Sequence, residues 1–354
     1  MILIPINGKN ERLDKAEGFL KWGKFSTSEQ TPTIPADETQ DSPEGSASVH
    51  GRFQPEEAHL RAGGEREVEM YLRCVGAGQT GGQFRMVAPK GLQVEPALIE
   101  VEPMEEGQER IVRFKVRADK DVSSALREIR FVPEKGLHAA SQTLAVSTGV
   151  VMTADARVPK SAQYVIRAPG YTMNVDHYSA VGHRLLDADG HRRYGRVVTG
   201  NFLTGFGGLA CEERWSFLFG LQCEGIWTGQ NNLTVRSLAL GGAPTARLLY
   251  TFEEDRIVIK VVPPSDPTKE FTMWLGNFDV LRPPIHNGKQ EQPWLPIVAD
   301  RFFFPHPLYR QGVLLTTPPK TPLQLRGDTA VSFPIRTGQE VTLQFAEQSE
   351  MPAK

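Results

Sequence analysis

Three cysteines in 354 residues are too few for a disulfide framework. Cys74, Cys211 and Cys223 form no CxxC pair, so structural zinc of the ribbon kind has no ligand set. The segment leading from Cys211 to Cys223 and beyond, RWSFLFGLQCEGIW, reads as one long strand. At about 3.3 Å per residue, such a strand holds the two sulfurs tens of ångströms apart. Three free, mostly buried thiols are expected, and they leave the redox compartment open. Long apolar runs are also missing, since no stretch approaches the roughly 20 residues of a membrane span. The start MILIPINGKNERLDK turns charged after a few apolar residues, unlike a secretory signal. An excess of one charge is the third absence. Lys+Arg 40 against Asp+Glu 42 leaves a formal charge of −2 and no global field to draw in nucleic acid. Neither a nucleic-acid partner nor a membrane span is expected. Helical periodicity is missing after residue 30, as is any repeat of fixed period.

What is present is ordinary globular composition, 40% hydrophobic and 23% charged, in a chain long enough for two domains and a small appendage. Residues 1–56 read as an irregular N-terminal segment. Their main stretch, FSTSEQTPTIPADETQDSPEGSASVHG, is rich in Ser, Thr, Pro, Glu and Asp and keeps no period. Before it, ERLDKAEGFLKWGKF either makes a short helix or drapes Phe19, Leu20, Trp22 and Phe25 onto a neighbour.

Residues 57–148 turn to β. VEMYLRCV alternates, with Val68, Met70, Leu72 and Cys74 on one face and Glu69, Tyr71 and Arg73 on the other. IVRFKVR does the same, with Val112, Phe114 and Val116 inward and Arg113, Lys115 and Arg117 outward. A row of bases like this is most often the solvated face of a half-buried antiparallel strand. Gly and Pro mark turns in APKGLQVEP, EPMEEGQ and VPEKGLHA. Strands at this spacing predict a small β-sandwich.

Residues 149–354 read as a second, larger β region. RWSFLFGLQCEGIW holds a period of two for too long to be a helix. LLYTFEEDRIVIKVV reads as a hairpin turning at EED, and KEFTMWLGNFDVL and QEVTLQFAEQ as further strands. Loops are predicted at the proline-rich VVPPSDPTK, LRPPIHNGKQEQPWLP, FFFPHPLY and TTPPKTP. DRFFFPHPLY is an apolar patch that reads as a strand end crossing the core.

The stretch 57–147 resembles the immunoglobulin-like modules joined to bacterial glycosidases. The phrases that carry the resemblance are RAGGEREVEMYL, APKGLQVEP, EEGQERIVRFKV and REIRFVPEKG, with Leu92 where those modules often have Trp. Such modules hold no catalytic residues, so none carry over. The second region resembles the supersandwich of galactose-mutarotase-like and polysaccharide-lyase-associated domains. There YSAVGHRLLDADGHRRYG places Gly182, Leu185 and Leu186 before a D-x-x-G turn, and YTFEEDRIVI matches a strand pair common in such domains. Together these imply an all-β protein, an immunoglobulin-like β-sandwich followed by a larger antiparallel β-supersandwich, with a carbohydrate-related role.

The densest polar cluster is NVDHYSAVGHRLLDADGHRRYG, residues 174–195. Read as a zinc site it fails on spacing. His177 and His183 on one continuous strand share a face roughly 20 Å apart, and His191 lies beyond the turn. With a turn at 187–190, Leu186 would face His191, and His183 would face Tyr194. DADG also lacks the third acid and closing Glu of a calcium loop and reads as turn chemistry. TGNFLTGFGGLA has no GKS or GKT to make a phosphate cradle. No metal and no cofactor is expected.

Acid/base chemistry has the right residue types. By resemblance to mutarotase-like enzymes and lyases, His177, Tyr178, Arg192 and Glu224 are the catalytic candidates, although the longer motifs of those enzymes are absent. Sugar binding needs less: a ring for a pyranose face and polar groups for its hydroxyls. Trp227 in GIWTGQNN, Trp294 in QPWLP, Tyr309 in HPLYR and Arg184 are the candidates, whereas Trp215 and Trp274 in alternating strands read as core. The expectation is a carbohydrate-associated protein, either a non-catalytic polysaccharide-binding or accessory part, outside the cell or in the periplasm. The alternatives are a lyase, glycosidase or epimerase using the 177–192 cluster, and an assembly protein of sandwich domains. Oligomeric state is left open.

Overall fold

A computed structural model of the protein describes residues 46–134, 136–155, 163–176, 182–188, 192–195, 208–211, 223–237, 247–263, 267–268, 270–275, 284–286, 289–290, 297–306, 311–326 and 330–347. Every regular element among the described residues is a β-strand, in line with the all-β expectation. No helix there is long and apolar enough to cross a membrane.

The first nine strands are β1 (Ser48–Gln54), β2 (Glu57–Leu60), β3 (Glu65–Val75), β4 (Gln79–Val87), β5 (Leu92–Glu95), β6 (Leu98–Glu105), β7 (Glu109–Ala118), β8 (Ala125–Pro133) and β9 (Gln142–Thr148). They form sheet I, ordered β1-β3-β7-β5, and sheet II, ordered β2-β9-β8-β4-β6. Alternation decides which faces meet. Val68, Met70, Leu72 and Cys74 of β3 share one core with Phe114 and Val116 of β7 and with Phe84, Ile129, Phe131 and Leu144 of sheet II. Phe131 packs against Phe53 and Phe114 with ring centroids 4.8 and 5.0 Å apart. Burying one such side chain stabilises the fold by about 1.5–3 kcal/mol. Cys74 is free and buried, and burial pushes its thiol above the usual range, away from reactivity.

Strand β1 corrects the reading of residues 1–56 as irregular throughout. Ser48–Gln54 pairs antiparallel with β3 along its whole length. SVHGRFQ turns Val49 and Phe53 into the core and His50 and Arg52 to solvent, a short alternation hidden by the Ser- and Gly-rich composition around it.

The next five strands are β10 (Val151–Asp155), β11 (Gln163–Ala168), β12 (Tyr171–Asp176), β13 (Gly182–Asp187) and β14 (Arg192–Gly195), and they form sheet III as a meander in chain order. The remaining strands begin with β15 (Gly208–Cys211), β16 (Cys223–Thr228), β17 (Asn232–Ser237), β18 (Arg247–Phe252), β19 (Arg256–Val262) and β20 (Glu270–Leu275). They end with β21 (Ile285–His286), β22 (Lys289–Gln290), β23 (Ile297–Phe304), β24 (Gln311–Arg326), β25 (Ala330–Arg336) and β26 (Glu340–Glu347). Sheet IV joins these in the order β15-β20-β25-β24-β26-β19-β18-β17-β16, with β21, β22 and β23 off that path. Cys211 and Cys223 therefore belong to strands at opposite ends of the order. A second core forms between sheets III and IV from Ile166, Tyr171 and Met173 on one side and Phe252, Ile259, Phe271, Phe302 and Leu343 on the other.

The EED turn is where the sequence places it. Phe252 pairs with Ile257, and the Glu253 N–H donates to the Arg256 carbonyl. The FFF run is buried on both faces of β23: Phe302 and Phe304 join the second core, while Phe303 packs with Leu314 and Ala346 on the other side. TTPPKTP is not the predicted loop. It lies inside β24, whose residues Gln311–Thr316 pair with β26 and whose Gln324–Arg326 pair with β25. Opposite β23 the register jumps from Ala299↔Thr321 to Arg301↔Thr316, so Pro318 and Pro319 occupy a bulge where no N–H is needed, while Pro322 stays opposite Val298. Lys320 takes a φ of 58° there, and Thr321 Oγ1 donates to the Pro318 carbonyl at 2.5 Å.

The 174–195 stretch also departs from its reading. β12 ends at Asp176 and β13 begins at Gly182, with Asn174 opposite Arg184 and Val175 opposite Gly182. The chain thus reverses between Asp176 and Gly182, so 174–187 is not the single continuous strand expected from the sequence. At the next turn Leu186 pairs with Arg192 and Leu185 with Tyr194. A bulge between Leu185 and Leu186 displaces the predicted Leu186–His191 and His183–Tyr194 pairings.

Candidate functional site

His177, Tyr178, Trp294 and Tyr309 lie outside the described residues. For Arg184, Arg192, Glu224 and Trp227 the backbone is placed and the side chain is not described. Arg184 sits in β13 opposite Asn174 and Gly195, and Arg192 in β14 opposite Leu186. Glu224 and Trp227 belong to β16, the terminal strand of sheet IV. Of the catalytic candidates, Arg192 thus belongs to sheet III and Glu224 to sheet IV. Among the described residues no group of three His, Cys, Asp or Glu side chains is placed to hold a metal.

Side-chain geometry instead points to the outer face of sheet I. Register sets three cross-strand rows there: Gln54–Glu69–Arg113, Arg52–Tyr71–Ile111 and His50–Arg73–Glu109. Around the last two opens a concavity of about 620 Å³, lined by His50, Arg52, Tyr71, Arg73, Glu109, Arg110 and Ile111 among others. Its floor is apolar: Tyr71 is half-buried, and Ile111 is 52% exposed on a face otherwise given to charge.

Tyr71 is fixed at both ends. Its hydroxyl donates to Glu69 Oε2 at 2.8 Å, and the other oxygen of Glu69 accepts from Arg113 Nε at 2.8 Å. The Glu69 carboxylate raises the phenol above its ordinary pKa, so Tyr71 stays a protonated donor at neutral pH. Arg113, and then Tyr71, hold Glu69 below the usual carboxylate range. Over the ring lies the Arg52 guanidinium, 5.2 Å from the centroid.

The two halves of this face differ in how their cations are matched. Towards β5, Lys115 and Arg117 meet Glu65 at 3.1 and 2.8 Å, and Arg117 also approaches Glu95 at 3.6 Å. In the concavity, Arg73 and Glu109 are 3.9 Å apart and both largely exposed, while Arg110, opposite Leu72 on the alternate parity of β7, pairs with Glu102 of β6 in sheet II. Arg52 has no carboxylate partner among the described residues; a ring holds it instead.

A second polar constellation, unmarked in the sequence, joins the two cores. Glu57 and His59 are two apart on β2 and share a face. They meet Arg167 and Thr172, which are cross-strand neighbours on β11 and β12. Arg167 donates to both oxygens of Glu57 at 2.6 and 3.0 Å and to Thr153 Oγ1 at 2.9 Å. His59 bonds Ser147 through Nδ1 at 2.8 Å and Thr172 through Nε2 at 2.9 Å. Burial lowers the His59 pKa to about 4, with Arg66 and Arg167 adding to the effect against the pull of Glu57. Nearby, Arg66 donates to the Ala188 carbonyl at 2.6 Å, which ties the end of β13 to β3. His59 and Ser147 sit at matched positions of the parallel β2–β9 pair, so register accounts for their contact.

No protein-family model matches the chain, and no curated protein does. Among solved structures, a putative aldose 1-epimerase from Escherichia coli K12 is similar, with a TM-score of 0.36 and 9% identity over 56% of this chain and 100% of that one. HI1317 is similar at 0.31 and 9%, over 56% of this chain and 99% of its own. YidC from Thermotoga maritima is similar at 0.30 and 11%, over 56% of this chain and 51% of that one. Likenesses of this size carry no argument about fold or function.

Proposed function

We propose that this is a carbohydrate-associated protein that binds a polysaccharide without transforming it, through the concavity on sheet I. One observation carries the reading: the cross-strand row Arg52–Tyr71–Ile111 makes a partly apolar floor flanked by His50, Arg73, Glu109 and Arg110. Beside the Tyr71 ring, which Arg52 covers, exposed Ile111 offers an aliphatic contact for the apolar face of a pyranose, and guanidinium and carboxylate groups suit its hydroxyls. The volume falls within the usual range for small-ligand sites, about 300–1,000 Å³. Trp227, Trp294, Arg184 and Tyr309 belong to the same proposal as additional sugar contacts, and an immunoglobulin-like module followed by a supersandwich is its architectural counterpart. A role outside the cell or in the periplasm goes with it.

The test is retention on a panel of insoluble polysaccharides. The protein is expected to bind at least one, with loss in Tyr71→Ala and in Ile111→Ser. Absence of retention across the panel sinks the reading. Release of unsaturated uronate products that stops in His177→Ala or Tyr178→Phe would replace it with a lyase.

A further inference from the structure

The contrast between the two halves of sheet I leads beyond a generic glycan. We infer that the concavity receives an anionic sugar group, a carboxylate or a sulfate, on the guanidinium of Arg52 with Arg73 beside it. This rests on the polysaccharide-binding reading of the same site.

Arg52 is the residue that decides. Its outward position on β1 is set by alternation, since Val49 and Phe53 are buried and Arg52 is exposed. Across the strand pair it faces Tyr71, whose ring is pinned by Glu69. A guanidinium lying over a ring keeps its charge and its N–H edge, because the ring offers no lone pair to accept them. Arg117 and Lys115 on the same face have their N–H groups directed to Glu65, and Arg113 has Nε directed to Glu69. Arg52 is thus oriented without being neutralised, the arrangement in which a fork of donors can take both oxygens of an incoming oxyanion.

Position supports the same ligand. Arg73 sits on the adjacent row, opposite His50 on one side and Glu109 on the other. Its contact with Glu109 is long and solvated, so exchange of that carboxylate for a ligand's costs little. Further along β3, Glu67 and Glu65 line the face. A polyanion is favoured at the Arg52–Arg73 end and opposed towards Glu65, which gives the site a direction along β3.

The experiment measures binding of the full chain to soluble polygalacturonate, dextran sulfate and neutral dextran, at low and at 0.3 M (about) salt. Binding to one or both polyanions is expected, with the stronger of the two identifying carboxylate or sulfate as the group. Affinity should fall with salt, and Arg52→Ala should weaken it about tenfold or more, the usual loss for a charge-assisted hydrogen-bonded pair. Arg52→Lys should restore little, because one ammonium cannot replace the fork. Arg117→Ala, in the neutralised half, should leave affinity within about twofold. Equal binding of dextran, lost in Tyr71→Ala but not in Arg52→Ala, overturns the inference while leaving the polysaccharide reading in place. Equal losses in Arg52→Ala and Arg117→Ala also overturn it, as binding would then follow overall charge. No binding to any of the three, in a protein retained by insoluble glycans, overturns it as well; no binding to any glycan overturns both.

Discussion

His59 shows how much one buried polar residue decides. Its folded pKa of about 4 lies below the ordinary 6.5, so the unfolded chain binds the extra proton first as pH falls. The contribution of His59 to stability is therefore complete above about pH 6.5 and is lost progressively down to about pH 4. A difference of roughly 2.5 units corresponds to about 3 kcal/mol. Urea titrations at a series of pH values should show this acid limb in the parent and a shallower one in His59→Gln, whose amide can still bond Ser147 and Thr172. An unchanged limb in the variant would assign the acid sensitivity elsewhere. Nothing local in EAHL marks this residue, since its partners lie 88 and 113 positions away. Arg52 and Tyr71 were half legible. Alternation puts Glu69, Tyr71 and Arg73 outward, but the contact of Tyr71 with Arg52 depends on β1 being a strand, which composition conceals.

At the scale of elements, period-two patterns held where a strand buries one face and exposes the other. β3, β7, β18 and β19 are such strands, and the inward residues of β3 and β7 are the ones named by alternation. The patterns misled where turn signals sit inside pairing, as at TTPPKTP in β24, because a bulge can absorb prolines that a regular ladder cannot. They also missed registers set by bulges, as between Leu185 and Leu186. In the 174–195 cluster residue type suggests chemistry, but type alone carries no register. β24 supports a sharper test of packing. A Cβ on Gly312 would lie 2.5 Å from both Phe303 Cζ and the Phe304 carbonyl oxygen. The backbone oxygen cannot rotate away, so Gly312→Ala should destabilise by about 1–3 kcal/mol. Phe302→Ala, which empties the opposite face, should cost more, about 3–5 kcal/mol. Denaturant midpoints for the two variants check the order, and a Gly312→Ala midpoint equal to the parent's would mean that β23 and β24 separate more easily than their pairing suggests.

For the whole molecule the question is how two cores come to behave as one body. Sheet III is buried on both faces at β11: Tyr164, Ile166 and Ala168 face their own core, while Arg167 reaches Glu57 across the junction. Polar contacts cross the junction at Arg167–Glu57, His59–Thr172, Arg66–Ala188 and, at the rim, Arg61–Glu254 at 3.4 Å. The rim pair is exposed and contributes little. Arg167 is different, with a side chain only 9% exposed and two bonds to one carboxylate. Removing it takes both of these hydrogen bonds from the Glu57 carboxylate. Glu57 keeps 35% exposure, which softens the loss to about 2–3 kcal/mol, below the full range for a buried pair. Because that energy couples the cores instead of stabilising either one, its loss should separate their transitions. Calorimetry of the parent should give one transition, and Arg167→Ala combined with Thr172→Ala should give two, the lower one below the parent. Arg167→Lys should fall between them, since an ammonium reaches one carboxylate oxygen but not both together with Thr153. A single unshifted transition in the double variant would show that the cores are held together by something other than this network.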